Sequence, residues 1–310
     1  MASQVTEVGM ERTAIGRRTG NLMQRKFAQR VAFGLFWLAG FLAVAALVWI
    51  VGYVLVQGVQ VINLEFLTTR PAGGVSGEGG MSTTIVTTLY LVVLTIVIAT
   101  PLGVGAAVYL VEYANDARRE NPWLGRLITV SRTGVEILAG VPSIIFGLFG
   151  FALFVSALKL KFSLLSAGLS GACLILPVII RTSEEALLAV PRSYREGSLA
   201  LGATKWQTVT SVVLPAALPG IVTGVVLSVG RIVAETAIFW VTLGGSYRLP
   251  TSLKSAGRSM ALHVYMLATE TRAFEKAMGT AAILIATIIV LNLVINVTSR
   301  RFAARMMGRK

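Results

Sequence analysis

An all-α, polytopic membrane helix bundle of about six transmembrane helices is what this sequence predicts, on three observations. Only 14% of the 310 residues are charged and 55% are hydrophobic, whereas a soluble chain carries roughly a quarter charged residues. The deficit is concentrated: residues 31–64, 82–111, 137–158, 162–180, 206–230 and 277–299 contain no Asp, Glu, Lys or Arg. The 28 Lys and Arg residues then fall unequally between alternate gaps, as the positive-inside bias requires. Helices are the expected element because backbone amides cannot go unpaired in lipid, and the short alternating segments of a barrel are absent.

Residues 1–30 read as a basic tail carrying Arg12, Arg17, Arg18, Arg25, Lys26 and Arg30. The first apolar run, 31–56, is longer than the roughly 7–15 residues of a cleaved signal core, so it reads as a retained first span. Residues 57–80 hold Gly73, Gly74, Gly77, Gly79 and Gly80 and read as a flexible outer loop. The next segment, 81–300, contains the other five spans. Pro101, Gly103 and Gly105 punctuate the second, and Gly140, Pro142, Gly147 and Gly150 the third. Small residues let helices approach closely and proline can kink them. The fifth run reaches Leu243 only if Arg231 and Glu235 lie inside the membrane. Residues 301–310 form a second basic tail.

With six spans, both tails, the loop holding Arg118, Arg119, Arg126 and Arg132, and the loop holding Arg192, Arg195 and Lys205 share one side. That side carries 18 basic residues and the opposite loops eight, so both termini are predicted cytoplasmic. The net charge of +14 is thereby a topology signal. It implies membrane lipid rather than nucleic acid as a partner. Cys173 is the sole cysteine and His263 the sole histidine, which leaves no internal disulfide and no metal cluster. No Gly-rich loop ends in Lys-Ser or Lys-Thr, so the chain does not bind ATP by that route. No nucleophile–base constellation suggests an enzyme.

The stretch from Arg192 to Pro215 is the most specific. Ser193 is a plausible N-cap with Glu196 three residues on, as in a capping box. Leu199, Ala200 and Leu201 continue a short apolar helix, and Gly202 is placed to end it. Thr204 can start a second helix, which Pro215 would interrupt. A compact helix–turn–helix on the cytoplasmic face follows. The pattern resembles the EAA loop of ABC-importer permeases, with Glu196, Gly202, Leu214 and Pro215 matching and Gly197 and Ser198 standing for the two alanines. The resemblance implies a type I ABC importer transmembrane domain of the MetI-like kind. It also implies that Arg195, Glu196, Gly197, Ser198, Gly202, Thr204, Leu214 and Pro215 couple the chain to an ATPase.

Three further segments narrow the resemblance: Ala139–Leu148, Pro177–Glu184 and Gly230–Ala237. Together they resemble the PstA-type permeases of phosphate importers, over roughly residues 80–300. That family has a proline after Glu-Thr-Ala where this chain has Ile238. The resemblance implies inorganic phosphate as solute and a bacterial inner-membrane location. It implies as partners a second, PstC-like permease, two PstB-like ATPase subunits and an external PstS-like phosphate-binding protein. ATP and Mg would bind the ATPase; this chain would hold no cofactor. Other oxyanions (sulfate, molybdate, a phosphonate) and a membrane subunit serving phosphate signalling are the alternatives. Arg231 and Glu235, four residues apart, would share a helix face. They are either an ion pair that packs the bundle or part of an anion path, since arginine's planar fork suits phosphate. Arg181, beside Glu184 and Glu185, would line the inner mouth or snorkel at the interface. Glu136 is expected to pair with a basic residue.

Overall fold

The computed structural model describes residues 2–72, 77–114 and 121–306, with side chains from Arg25 to Thr298. Gly73, Gly74, Arg118, Arg119, Arg309 and Lys310 lie outside the described residues, as do the side chains of Arg12, Arg17, Arg18, Arg300, Arg301 and Arg305. The chain divides into two units, 1–56 and 57–310.

The first unit lies within helix α1, Ala2–Val59. The helix runs through the segment expected as a tail, because residues 2–59 contain no proline to stop it. Arg25–Val59 is apolar and long enough to cross a bilayer, and Phe36, Trp37 and Trp49 point outward, as a lipid solvent allows.

The second unit holds the remaining helices. They are α2 (Leu64–Thr68), α3 (Ser82–Tyr113), α4 (Pro122–Ala139), α5 (Ser143–Ala157) and α6 (Leu164–Leu188). There follow α7 (Arg192–Ala200), α8 (Lys205–Val233), α9 (Ala237–Thr242), α10 (Met260–Glu270) and α11 (Phe274–Met306). The predicted flexible outer loop is partly built: Asn63 caps α2, Phe66 is buried, and Pro71 bridges Gly79.

Apolar helices α3 and α6 pack most extensively of all pairs. Gly103 lies so close to Ile179 that a Cβ there would come within 2.7 Å of its side chain. The main core runs between them, through Leu91, Ala99, Leu174, Ile175 and Ile179, to Ile232 of α8 and Ile238 and Phe239 of α9. Burying such side chains contributes about 1.5–3 kcal/mol each.

The two helices point the same way. Their N-terminal ends both meet the 242–260 segment: Thr83 Oγ1 donates to the Tyr247 carbonyl (3.1 Å), and the Leu165 amide to the Leu253 carbonyl (2.8 Å). Their C-terminal ends both meet Arg195. The chain therefore returns once between them, and α4 plus α5 is that return.

The third span departs from the expected run of 137–158. It begins at Pro122, capped by Asn121 (2.9 Å to the Trp123 amide), and bends by 110° between Ala139 and Ser143. The bend falls where Pro142 forces extended backbone and disfavours helix at the residue before it. Counted with α1, α3, α6, α8 and α11, the bent pair, taken as one span, brings the candidate spans among the described residues to six.

Candidate functional site

Two places in the second unit carry the residues singled out by sequence: the loop after α6, and the end of α8.

The loop is the predicted helix–turn–helix, with changes of detail. Its first helix starts at Arg192 with Pro191 as N-cap, not at Ser193. The Tyr194 amide already bonds the Pro191 carbonyl (3.2 Å), which places Ser193 inside the first turn. No side-chain cap forms there. The helix ends as predicted at Gly202, whose φ of +85° is the left-handed conformation glycine tolerates. The Gly202 amide bonds the Leu199 carbonyl and the Ala203 amide the Ser198 carbonyl, the two bonds of a Schellman end. The capping box sits at the second helix instead: Thr204 accepts from the Gln207 amide, and Gln207 accepts from the Thr204 amide (2.8 Å). Pro215 does not interrupt α8. The ladder takes one wide turn at Val209–Val213 just before it, which gives the ring room against the preceding carbonyls.

No side chain of α7 is buried. Tyr194, Glu196, Leu199, Leu201 and Trp206 are exposed, Leu201 at 91%. Apolar side chains so exposed, with a carboxylate beside them, form a projecting knob. Ser198 turns inward to Thr208 (2.9 Å between hydroxyls).

Sequence reasoning missed what lies beneath. Glu112, the residue that ends the charge-free run of α3, accepts from both Nε (3.0 Å) and Nη2 (2.7 Å) of Arg195. On the same end of the bundle Arg132 of α4 lies 3.6 Å from Glu184 of α6. Arg181 is paired with Glu136 (3.0 Å) and Glu185 (3.4 Å). The expectation for Glu136 holds; Arg181 is already engaged by two carboxylates. The only available signal for Glu112 was an acid at the end of a charge-free run.

At the end of α8 the shared helix face of Arg231 and Glu235 is lost. The helix stops at Val233, and Thr236 is non-helical (φ −120°, ψ −49°). Glu235 is buried and spends one oxygen on the Ile238 amide (3.2 Å), a local bond that competes with helix. That amide exists because Ile238 stands where the resembling family has proline. The two charges form no ion pair. Arg231 lies on the side of α8 where Thr223, Leu227 and Ala234 are exposed, and has no hydrogen bond or ion pair among the described residues.

The opposite end of the bundle holds a second polar group outside the spans. Arg258 is 3% exposed; its Nε donates to the Gly245 carbonyl (3.0 Å) and its guanidinium stacks 4.0 Å from the Tyr247 ring centroid. His263 Nδ1 lies 3.3 Å from Arg258 Nη1. Burial, with the charges of Arg258 and Lys276, pushes the His263 pKa down to about 3. No cluster of three metal-binding side chains occurs among the described residues.

A family profile described as "binding-protein-dependent transport system inner membrane component" matches residues 99–308. The probable ABC transporter permease protein YqgI of Bacillus subtilis is 31% identical over 87% of this chain and 95% of its own. The phosphate transport system permease protein PstA 1 of Mycobacterium tuberculosis is 34% identical over 87% of this chain and 88% of its own. Its namesake PstA of Yersinia pestis is 31% identical over 88% and 86%. Among solved structures, a chain of a bacterial alginate ABC transporter superposes with a TM-score of 0.60 at 16% identity, covering 86% of this chain and 95% of its own. A chain of the MetNI methionine ABC transporter gives 0.52 at 22%, covering 73% and 94%. The structural likenesses establish the fold.

Proposed function

Because this chain belongs to the binding-protein-dependent transport system inner membrane component family, we propose that it is the permease subunit of an ABC importer for inorganic phosphate. Relatives named as phosphate transport permeases, at 31–34% identity over most of both chains, support the solute. The 189–204 loop faces the cytoplasm in this reading, with both termini on that side. ATP and Mg bind separate ATPase subunits; a second permease and an external phosphate-binding protein complete the assembly. The exposed knob of Tyr194, Glu196, Leu199, Leu201 and Trp206 docks on the ATPase. Gly202 and Thr204 set its angle; Leu214 and Pro215 follow the wide turn of the span behind it.

The observation that carries the phosphate path is Arg231, an arginine within an apolar span and without a partner among the described residues. A charge at bilayer depth costs about 3 kcal/mol or more, so it faces protein or an aqueous path. The exposed side of α8 on which it lies is a surface for the second permease, and the anion would pass between them. Arginine donates two parallel bonds to a phosphate. Glu235 keeps its second oxygen for a P–OH donor, which phosphate has at neutral pH and sulfate lacks. Sulfate would instead meet an unpaired like charge. Arg181, neutralised by two carboxylates, contributes less, at the inner mouth.

The test is labelled phosphate uptake in vesicles containing the four kinds of subunit. Arg231→Gln should abolish uptake while the complex still assembles; unchanged uptake would sink the path. Excess sulfate should not compete with phosphate in the parent protein and should begin to compete in Glu235→Gln. Competition by sulfate in the parent protein would move the assignment to another oxyanion.

A further inference from the structure

We propose that Glu112 is a positioning residue that ties the 192–200 helix to the inner end of α3, so that movement of the loop is delivered to that span. The inference rests on the coupling-loop reading above. It starts from what holds α7 in place. In that helix only Arg195 and Ser198 are even partly enclosed; it begins after Pro191 and ends at Gly202 with positive φ. Apart from its covalent ends, two of its side chains fasten it by hydrogen bonds among the described residues: Ser198, to Thr208 of α8, and Arg195. A helix so lightly held would roll on the bundle when its partner moves, unless Arg195 is gripped.

Arg195 is gripped on every donor edge. Nε and Nη2 reach Glu112, Nη1 reaches the Val190 carbonyl (2.8 Å), and Nη2 also reaches the Leu187 carbonyl (2.9 Å). One guanidinium thus staples α7 to the end of α6 and the end of α3. The pair is largely buried, with side-chain exposures of 19% and 9%. Nε and Nη2 converge on one oxygen, Oε1, of Glu112, and charge-assisted bonds in a low-dielectric setting are strong and directional.

The grip falls on an irregular part of α3. Tyr109–Tyr113 is a wide π-type turn, a feature frequent at functional sites. Other inner elements meet the same turn. Arg132 of α4 donates to the Leu110 carbonyl (2.8 Å) and sits beside Glu184 of α6. Lys205, the first residue of α8, lies 4.8 Å from the Tyr113 ring centroid. Helices α4, α6, α7 and α8 therefore converge on five residues of α3, and Glu112 is the acid among them. Arg195 belongs to the loop by sequence; Glu112 is 83 residues away and is the receiving half.

The test uses the reconstituted four-subunit complex, with phosphate uptake and ATP hydrolysis measured on the same vesicles. Glu112→Gln keeps size and polarity but removes the charge. It should lower phosphate moved per ATP hydrolysed about five- to tenfold, with the ATPase still co-purifying. Arg195→Lys, whose donors all sit on one nitrogen and cannot reproduce contacts spread over Nε, Nη1 and Nη2, should do the same. The double variant should be no worse than the weaker single one. An unchanged ratio in assembled Glu112→Gln and Arg195→Lys complexes overturns the proposal. So does a loss confined to the amount of complex, which is what packing alone predicts. Leu201→Asp separates the two readings. It should strip the ATPase from the complex; if the ATPase stays bound and active, the coupling-loop reading itself fails. If the ATPase is lost while Glu112→Gln keeps its ratio, only the role of Glu112 fails.

Discussion

The two ends of the second unit hold their cations differently. At the loop end Arg195, Arg132 and Arg181 each meet a carboxylate, on Glu112, on Glu184 and on Glu136 with Glu185. At the opposite end Arg258 is held by a carbonyl, a ring and a neutral histidine, and Lys276 by the carbonyls of Gly77 and Gly79 (3.1 and 3.3 Å). Carboxylates on different helices can exchange partners as helices move. Backbone carbonyls of a packed loop cannot. The exposed pairs of Arg181 at the first end can rearrange, while Arg195, which backbone carbonyls also hold, and the cations of the second end stay put.

Removing Arg258 is the hardest blow to that contrast. Arg258→Ala leaves the Gly245 carbonyl and His263 Nδ1 without their donor and opens a void beside Tyr247. We expect a local loss of about 3 kcal/mol, read as faster hydrogen exchange across residues 244–263. Exchange at the parent rate would mean that Arg258 does not hold this end.

Acid should loosen the same end more gently. A free histidine titrates near 6.5, while His263 stays neutral down to about 3. Between those values the opened loop binds a proton and the packed loop does not. Its stability is therefore full above pH 6.5 and falls as pH drops, by about 2 kcal/mol at pH 5. Protease cleavage in the 244–263 segment should accelerate between pH 7.5 and 5, and His263→Gln should flatten the profile. A parent profile already flat would show that the histidine is not enclosed by its two cationic neighbours.

The difference in design also explains what the sequence disclosed. The spans were legible because lipid demands long charge-free runs, and no tertiary contact overrides that demand. The end of α7 was legible because Gly202 and Thr204 act locally. Its start was not, because Ser193 has the side chain of a cap, while the helix is opened by a backbone bond from the Tyr194 amide to the Pro191 carbonyl. The break after Val233 was hidden because Arg231 and Glu235 at a spacing of four look helical, while the deciding bond runs from the Ile238 amide to Glu235. The Glu112–Arg195 pair spans 83 residues, and no periodicity reports a contact so distant. His263 showed only its isolation; its burial depends on how α10 packs.

The smallest expected effect falls on Arg181, and it sharpens the contrast within the loop end. Arg181, Glu136 and Glu185 are all more than half exposed, unlike Glu112 and Arg195. Exposed ion pairs contribute about 0–1 kcal/mol, and they do so without fixing a helix. If the loop end rearranges during transport, these are the contacts that break cheaply. Arg181→Gln should therefore leave assembly intact and phosphate uptake within about twofold of the parent, against the large loss expected for Arg231→Gln. A loss as deep as that of Arg231→Gln would place Arg181 on the anion path, with its two carboxylates as partners that phosphate displaces.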